Sequence, residues 1–190
     1  MNKIVLFASG NGTNVQQIAD YFAANPQVEF PMLFCNNPKA YVLQRAANLH
    51  IPSMVFNRND FFSTDIVFDK LKEINPDLIV LAGFLWLVPE KIINAFPQKI
   101  INIHPALLPK YGGKGMYGHH VHEAVVANHE PFSGITIHYV NQYYDSGDII
   151  FQATCPISAT DNADNVAEEI HLLEKEHFPK VIDNLLFGNR

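Results

Sequence analysis

Two polar side chains near the middle of the chain carry groups suited to acyl transfer. Asn102 and His104 stand two positions apart in the run Ile100-Ile101-Asn102-Ile103-His104-Pro105, so in a strand both side chains emerge on one face. An amide N–H can stabilise a carbonyl oxygen as it becomes negative, and a protonated imidazole can donate to that oxygen or to a leaving nitrogen. The pair therefore predicts acyl transfer, although a single strand histidine is more often a core residue with a satisfied hydrogen bond.

Asp145 is a candidate partner of His104. It lies in the turn-like segment 141–147, between two apolar runs. A carboxylate that approached His104 would raise the pKa of the imidazole by favouring its charged form. An aspartate in a turn is more often a plain turn residue, and the sequence alone does not show the approach.

A second kind of site is indicated near the N-terminus. The segment Ser9-Gly10-Asn11-Gly12-Thr13-Asn14 joins an apolar run to a helix-spaced one, so its backbone N–H groups can hold a phosphate at the start of a helix. A dinucleotide fingerprint would need a third glycine where Val15 stands and an acidic residue in place of Asn36-Asn37. The segment therefore predicts a small-anion site, with a tight turn that binds nothing as the simpler alternative.

The sequence does not favour a metal site. The histidine-rich stretch 119–123 has neither the spacing of a metalloprotease helix nor that of a zinc finger. The two cysteines, Cys35 and Cys155, lie in apolar runs without a CxxC motif, which is typical of reduced, buried thiols. We expect no metal, and we expect the glycine-rich segment 110–120 to be a flexible loop over the active site.

Composition limits the classes of protein and partner. A chain of 190 residues with 48% hydrophobic residues can bury one sizeable core. The net charge is −6 and neither sign collects into a long run, so no nucleic-acid or membrane-binding surface is expected. The N-terminal apolar run meets a glycine-rich turn too early for a signal peptide or a membrane span. We expect a cytoplasmic monomer or homodimer with small-molecule partners.

The elements that position these groups alternate along the chain. Apolar or β-branched runs predict strands at 3–8, 29–35, 53–56, 78–82 and 100–104. Helix-spaced apolar positions predict helices at 14–24, 41–49, 65–74 and 89–96. After Pro105 the sequence predicts a helix at 122–128, strands at 134–139 and 148–156 that pair antiparallel or mixed, and a long helix at 165–187.

This order predicts one α/β domain over residues 1–190. Its sheet is expected to be Rossmann-like and open, mostly parallel, with an antiparallel extension in the C-terminal third. In open sheets of this kind, sites form at the carboxyl ends of the strands. Asn102, His104 and the glycine-rich turn are all predicted at such ends.

Several segments together match a known pattern. They are Ser9 to Asn14, Pro76-Asp77-Leu78 through Leu81-Ala82-Gly83-Phe84, Asn102 to Pro109, Asp145-Ser146-Gly147, and Glu174. On these segments the chain resembles the folate-dependent formyltransferases nearly end to end, and among them those that formylate glycinamide ribonucleotide. The resemblance implies transfer of the formyl group of the co-substrate 10-formyltetrahydrofolate to the amine of N1-(5-phospho-D-ribosyl)glycinamide. The products would be the N-formyl compound and tetrahydrofolate, in de novo purine (IMP) biosynthesis.

The resemblance also implies roles for individual residues. Asn102, His104 and Asp145 would be catalytic. The ribonucleotide phosphate would lie on Gly12, Thr13 and Asn14, and its amine near Glu174, approached past His171, Leu172 and Leu173. The pterin would enter beside Asn102, in a pocket edged by Leu85, Trp86, Leu87 and Val88 and by Asn141, Gln142, Tyr143, Tyr144 and Asp145.

The mechanism implied by the resemblance is direct transfer, without a covalent enzyme intermediate. Asn102 and protonated His104 would stabilise the oxyanion that forms as the amine attacks, and Asp145 would keep His104 charged. Two alternatives stay open: another folate-linked formyltransferase or a formyltetrahydrofolate deformylase, and a nucleotide- or folate-binding module without catalysis. Where the family often has arginines, this chain has Phe-Phe-Ser-Thr-Asp at 61–65 and Trp86.

Overall fold

The computed structural model describes residues 1–188, which build a seven-stranded sheet covered by helices. The first part of the chain forms β1 (Asn2–Ala8), α1 (Thr13–Phe22), β2 (Val28–Cys35), α2 (Val42–Asn48), β3 (Ser53–Val55), α3 (Arg58–Phe62), α4 (Ile66–Ile74), β4 (Leu78–Leu81), α5 (Glu90–Ala95) and β5 (Ile100–His104). The remainder forms α6 (His119–Ala127), β6 (Phe132–Tyr139), β7 (Ile149–Pro156) and α7 (Ala163–Phe187).

The strand order is β3-β2-β1-β4-β5-β6-β7. The pairs from β3 to β5 are parallel, whereas β5 pairs with β6 and β6 with β7 in antiparallel fashion. The predicted mostly parallel sheet with an antiparallel extension is therefore confirmed. The register of the β5–β6 pair places Asn102 opposite His138 and His104 opposite Thr136.

Alternating side chains of β1 enter two cores on opposite faces of the sheet. Ile4 and Leu6 belong to the larger core, which α1, α2 and α7 cover, while Val5 and Phe7 belong to the other, which α4 and α5 cover. Both faces are buried because parallel strands are covered on each side by their connecting helices. The strands thereby form a rigid support for the loops at their carboxyl ends.

Two details of the predicted elements were wrong. Helix α3 (Arg58–Phe62) was not predicted, because five residues carry too short a hydrophobic pattern. Its start is fixed by a capping box in which Asn57 Oδ1 accepts from the Asp60 backbone N–H and the Asp60 carboxylate accepts from the Asn57 N–H. Helix α6 begins at His119 rather than near His122, so His119 and His120 lie on the helix and not in the preceding loop.

Candidate active site

A cavity of about 620 Å³ opens at the carboxyl ends of β1, β4 and β5. This volume lies in the usual range of small-molecule sites, and the position is the one that open α/β sheets favour. The loops after these strands supply one wall, and the glycine-rich loop before α6 and one face of α7 supply the others. The lining comprises residues 10–14, 82–85, 102–105, 113–118, 122, 144–145, 170–171 and 174.

One end of the cavity is formed by the start of α1. Gly12 precedes the helix with φ 80°, and a Cβ at this position would overlap the side chain of Val42, so only glycine fits. Within residues 1–188 no side chain caps this helix terminus. The first N–H groups of α1, from Thr13 and Asn14, therefore face the cavity with the partial positive charge that attracts an anion.

Asn102 lines the cavity and is oriented by a histidine that was not predicted. Its Nδ2 lies 3.2 Å from Nε2 of His138. Nδ1 of His138 lies 2.8 Å from the carbonyl oxygen of Tyr139, to which it donates. Nε2 of His138 is then the acceptor, which fixes the Asn102 amide and leaves its second N–H for the cavity. Only the register of the β5–β6 pair brings His138 to Asn102, and the sequence does not specify that register.

Asp145 approaches His104 as the sequence suggested it could. Nδ1 of His104 lies 3.6 Å from Oδ2 of Asp145, and the histidine is 3% exposed. The opposite ring nitrogen, Nε2, lies 2.7 Å from the carbonyl oxygen of Tyr111 in the glycine-rich loop. His104 is therefore held between a carboxylate and a backbone carbonyl, at the edge of the cavity.

Burial and three neighbouring groups act on the pKa of His104. Burial lowers the pKa of His104 below its ordinary value, while the charge of Asp145 and the Tyr111 carbonyl raise it and His138 lowers it further. Asp145 thus acts in the predicted direction, but desolvation of the imidazolium outweighs it. Asp145 therefore favours the charged ring, while the pKa of His104 as a whole lies below its ordinary value.

Asp145 itself is held as an anion. Burial raises the pKa of its carboxyl, but His138, the charge of His104 and the Gly113 backbone N–H together bring that pKa below its ordinary value. The Gly113 N–H donates to Oδ2 over 3.0 Å. Asp145 has φ 50°, in the left-handed region that aspartate tolerates better than most residues. This carboxylate is a permanent negative charge beside two histidines.

A buried carboxyl group lies on the α7 wall. Glu174 is 8% exposed, and its Oε2 accepts a hydrogen bond of 3.1 Å from Asn14 Nδ2. Burial raises the pKa of Glu174 to about 7, against a lowering by that hydrogen bond. The group therefore changes charge near neutral pH and faces the same cavity as the start of α1.

Two buried polar atoms in this cavity have no hydrogen-bond partner in the described chain. They are Oδ1 of Asn14 and Nδ1 of His122, and both residues line the cavity. Burial, with the neighbouring His171, His119 and His104, lowers the pKa of His122 to about 4. Unpaired buried polar atoms are rare, and these two belong to residues that line the cavity. The sequence prediction missed His122 as a lining residue.

A smaller cleft of about 50 Å³ adjoins the main cavity and shares Asn102 and Asp145 with it. The residues predicted for the pterin that line it are Trp86, Leu87, Val88, Asn102, Tyr143, Tyr144 and Asp145. Leu85 lines the main cavity instead, and Asn141 and Gln142 line neither. Asn141 instead stabilises the turn, because its Oδ1 accepts from the Tyr143 N–H and from Ser146 Oγ.

A cation lies on the outer side of Trp86. The Arg58 guanidinium is 5.1 Å from the centre of the Trp86 ring system and 5.2 Å from that of Phe62, within cation–π distance of both. This arginine belongs to the unpredicted helix α3. The chain therefore presents a positive charge beside Trp86, although it lacks arginine at position 86 and at 61–65.

The α7 residues predicted for the amine approach divide between two faces of the helix. His171 and Glu174 line the cavity. Leu172 is 60% exposed, and Leu173 packs against the larger core. Residues three apart share a helix face whereas the intervening ones point elsewhere, so Leu172 and Leu173 do not line the cavity.

Within residues 1–188 no group of three or more His, Cys, Asp or Glu side chains is placed to hold a metal ion. Cys35 and Cys155 are buried free thiols whose pKa values are raised by burial. Neither lines the main cavity or the adjoining cleft. In the same part of the chain no helix is both long and apolar enough to span a bilayer.

Comparison with known proteins places these features in one family. Residues 2–182 match the family model described as formyl transferase. Phosphoribosylglycinamide formyltransferase of Bacillus subtilis is 35% identical over 191 residues, which cover 98% of this chain and 95% of that protein. The chloroplastic enzyme of that name from Vigna unguiculata is 36% identical over 96% of this chain, which spans only 60% of that relative. The chain likewise spans 61% of the Arabidopsis thaliana relative.

Solved structures give the same grouping. The phosphoribosylglycinamide formyltransferase from Bacillus halodurans superposes with a TM-score of 0.89 at 30% identity, covering 100% of this chain and 97% of that one. The Streptococcus pneumoniae structure of that name gives 0.86 at 34% identity, with 98% and 99% coverage.

Proposed function

Because the chain belongs to the formyl transferase family, we propose that it transfers a formyl group from 10-formyltetrahydrofolate to the amine of N1-(5-phospho-D-ribosyl)glycinamide. The products are the N-formyl ribonucleotide and tetrahydrofolate, and the step belongs to de novo purine biosynthesis. Relatives that match nearly the whole chain carry the corresponding name, phosphoribosylglycinamide formyltransferase.

The observation that carries the proposal is the position of Asn102, His104 and Asp145. Asn102 and Asp145 line both the main cavity and the adjoining cleft, and His104 lines the main cavity beside them. The main cavity reaches the start of α1, which suits a phosphate. The cleft is flanked by aromatic and aliphatic side chains, which suit a flat ring. An acceptor and a formyl donor bound at these two places would meet at the three polar side chains.

The residues present fit the folate co-substrate, which when bound supplies the formyl group and leaves as tetrahydrofolate. Trp86, Val88 and Tyr144 offer an apolar boundary to a flat ring in the cleft. The cleft has to widen to admit that ring, and the exposed Tyr143 and Tyr144 lie on its outer side. Arg58 beside Trp86 suits the anionic tail of a folate.

Each polar residue then has a chemical task. The Asn102 N–H that faces the cavity donates to the formyl oxygen as it gains negative charge. His104 in its protonated form donates to the same oxygen or delivers a proton to the departing nitrogen. The Asp145 charge stabilises that protonated form, and ligand binding that brings further negative charge acts in the same direction. Glu174 faces the amine-bearing part of the acceptor.

Purified protein mixed with glycinamide ribonucleotide and 10-formyltetrahydrofolate is the direct test. We expect tetrahydrofolate release, followed spectroscopically, that requires the ribonucleotide. Release without the ribonucleotide would instead indicate a deformylase. No release in either mixture, with both ligands bound in calorimetry, would indicate a binding module and overturn the proposal.

Trp86→Ala is expected to weaken use of the formyl folate without disabling the chemistry. We predict that KM for 10-formyltetrahydrofolate rises about tenfold while kcat stays within about twofold, because the ring contact is the same in the ground and transition states. Tyr21→Ala, at an exposed aromatic residue on α1, is the matched control and should change neither constant. A large fall in kcat with an unchanged KM would place Trp86 outside the folate site.

Glu174→Gln is expected to stabilise the fold at alkaline pH. The pKa of Glu174 is about 7 in the folded chain against 4.5 ordinarily, so the ionised carboxylate is less favourable in the folded chain than in the unfolded one. The resulting loss in the free energy of unfolding grows as pH rises from 4.5 to about 7. At pH 8 the variant should gain about 3 kcal/mol in the free energy of unfolding, and near pH 4.5 the gain should vanish. Urea unfolding at both pH values tests this, with the exposed Glu168→Gln on α7 as control; equal gains at the two values would contradict it.

A further inference from the structure

Contacts of Glu130 with Lys110 and Tyr111 hold the glycine-rich loop beside the site. Glu130, which lies between α6 and β6, has its Oε1 2.9 Å from Nζ of Lys110 and 2.9 Å from the hydroxyl of Tyr111. A single carboxylate oxygen thus accepts from two neighbouring residues of the loop. Hydrogen bonds from Lys110 and Tyr111 lower the pKa of Glu130, so the carboxylate is ionised when it makes them.

The backbone at Tyr111 is held in an unusual conformation. Its φ is 57°, in the left-handed region that a non-glycine residue with a large side chain seldom adopts. Such a conformation persists only when the surroundings fix it. The Tyr111 side chain provides that fixation, because its ring packs against Ala106, Val121 and Val125 and its hydroxyl donates to Glu130.

This conformation turns the Tyr111 carbonyl toward His104, 2.7 Å from its Nε2. A carbonyl oxygen only accepts, so Nε2 must carry a hydrogen. A neutral His104 then points the Nδ1 lone pair at Asp145 Oδ2, 3.6 Å away. Addition of a proton at Nδ1 relieves that repulsion. The carbonyl thus selects the ring tautomer and favours the imidazolium at the same time.

We propose that Glu130 is a positioning residue that acts through Lys110 and Tyr111 to hold the Tyr111 carbonyl on Nε2 of His104. We call these contacts of Glu130 with Lys110 and Tyr111 the clamp. Without the clamp, a neutral His104 carries its hydrogen on Nδ1, where Asp145 accepts it, and Nε2 has no hydrogen. The clamp therefore sets which ring nitrogen of a neutral His104 carries the hydrogen, and how readily the ring takes up a second proton. The proposal rests on the proposed function only for its consequence in turnover.

Three other groups face His104, each from an element other than the glycine-rich loop. They are Asp145 in the turn before β7, His138 on β6 and His122 on α6. Lys110 and Glu130 connect to His104 through Tyr111. Glu130→Gln removes the same charge as Glu130→Ala but keeps an acceptor, so a difference between the two variants in the titration of His104 reports the clamp and not the charge.

The test is ¹⁵N NMR of the His104 ring in the full chain without ligands. The unaltered protein is expected to show the Nε2–H tautomer at pH 8. Glu130→Ala should shift His104 toward the Nδ1–H tautomer and lower its pKa by about half a unit or more, since it loses a hydrogen-bond acceptor for the charged form. Glu130→Gln keeps an acceptor for the Tyr111 hydroxyl and should stay near the unaltered protein. An unchanged tautomer and pKa in Glu130→Ala would overturn the proposal.

Two further variants separate the clamp from general damage to the fold. Tyr111→Phe removes only the hydroxyl and should move the His104 tautomer in the same direction as Glu130→Ala. Glu73→Gln removes a comparable exposed pair, Lys70 with Glu73 at 2.9 Å, and should leave His104 unchanged. If the protein also turns over substrate, the alkaline limb of kcat should move to lower pH in parallel. If it does not, the NMR result still decides the clamp separately from the proposed function.

Discussion

His104→Ala is expected to lower turnover at least about a hundredfold and to leave the affinity for the ribonucleotide nearly unchanged. The side chain acts mainly on charge that develops during the reaction, so its loss raises the barrier more than it weakens binding. The phosphate is expected at the start of α1, at the opposite end of the cavity. Single-turnover kinetics and calorimetry with the ribonucleotide measure the two quantities independently.

The variant needs a control for damage to the fold, because His104 is buried. His104→Gln fills more of the space and keeps a polar group near Asp145, and it should be as inactive as the alanine variant. His120→Ala alters an exposed histidine on α6 that does not line the cavity, and turnover should be normal. Turnover within a few-fold of normal in His104→Ala, with the protein folded, would remove His104 from the mechanism.

The local part of the site followed from sequence spacing. Asn102 and His104 share a face of β5 because side chains alternate along a strand, and that rule needs no knowledge of the rest of the fold. Gly12 at the start of α1 was also recoverable, since a glycine between a strand and a helix has a defined conformational reason. The parallel order of the strands followed from their alternation with helices.

Features that depend on distant parts of the chain were beyond the sequence. His138 reaches Asn102 through the register of an antiparallel pair, and nothing in β6 alone fixes that register. The carbonyl of Tyr111 is a backbone group, so no pattern of side chains in the sequence could predict its contact with His104. Leu172 and Leu173 were assigned as a contiguous segment, whereas helix geometry separates them from His171 and Glu174.

The net direction of the His104 pKa shift depends on burial, which the sequence does not show. The sequence suggested an opposite charge nearby, and the structure places Asp145 at 3.6 Å. How strongly the site is desolvated cannot be read from neighbours in the sequence, and burial is the larger influence on the pKa of His104. An imidazole whose pKa is lowered by burial and raised by one carboxylate should be sensitive to any charge added or removed beside it.

Asp145→Asn tests that sensitivity. Asp145 raises the pKa of His104 against the effect of burial, so removing its charge lowers this pKa further. In the proposed mechanism protonated His104 is the active form, so turnover is expected to decline as pH rises through the pKa of His104. In the variant this decline is expected about one pH unit lower. At a pH above the His104 pKa of both proteins, the variant should therefore turn over about tenfold more slowly, and the difference should shrink at acid pH.

The kcat profile against pH measures this displacement, and the design keeps other effects small. Asparagine retains an oxygen that can accept from the Gly113 N–H, which now donates to Oδ2 over 3.0 Å, so the turn should keep its shape. Asp148→Asn, at an exposed aspartate three positions along the chain, removes the same charge without contacting His104 and should leave the profile in place. A uniform fall in kcat at every pH in Asp145→Asn would mean that Asp145 only orients the ring, whereas displacement of the alkaline limb alone would show that its charge sets the fraction of His104 able to act as an acid.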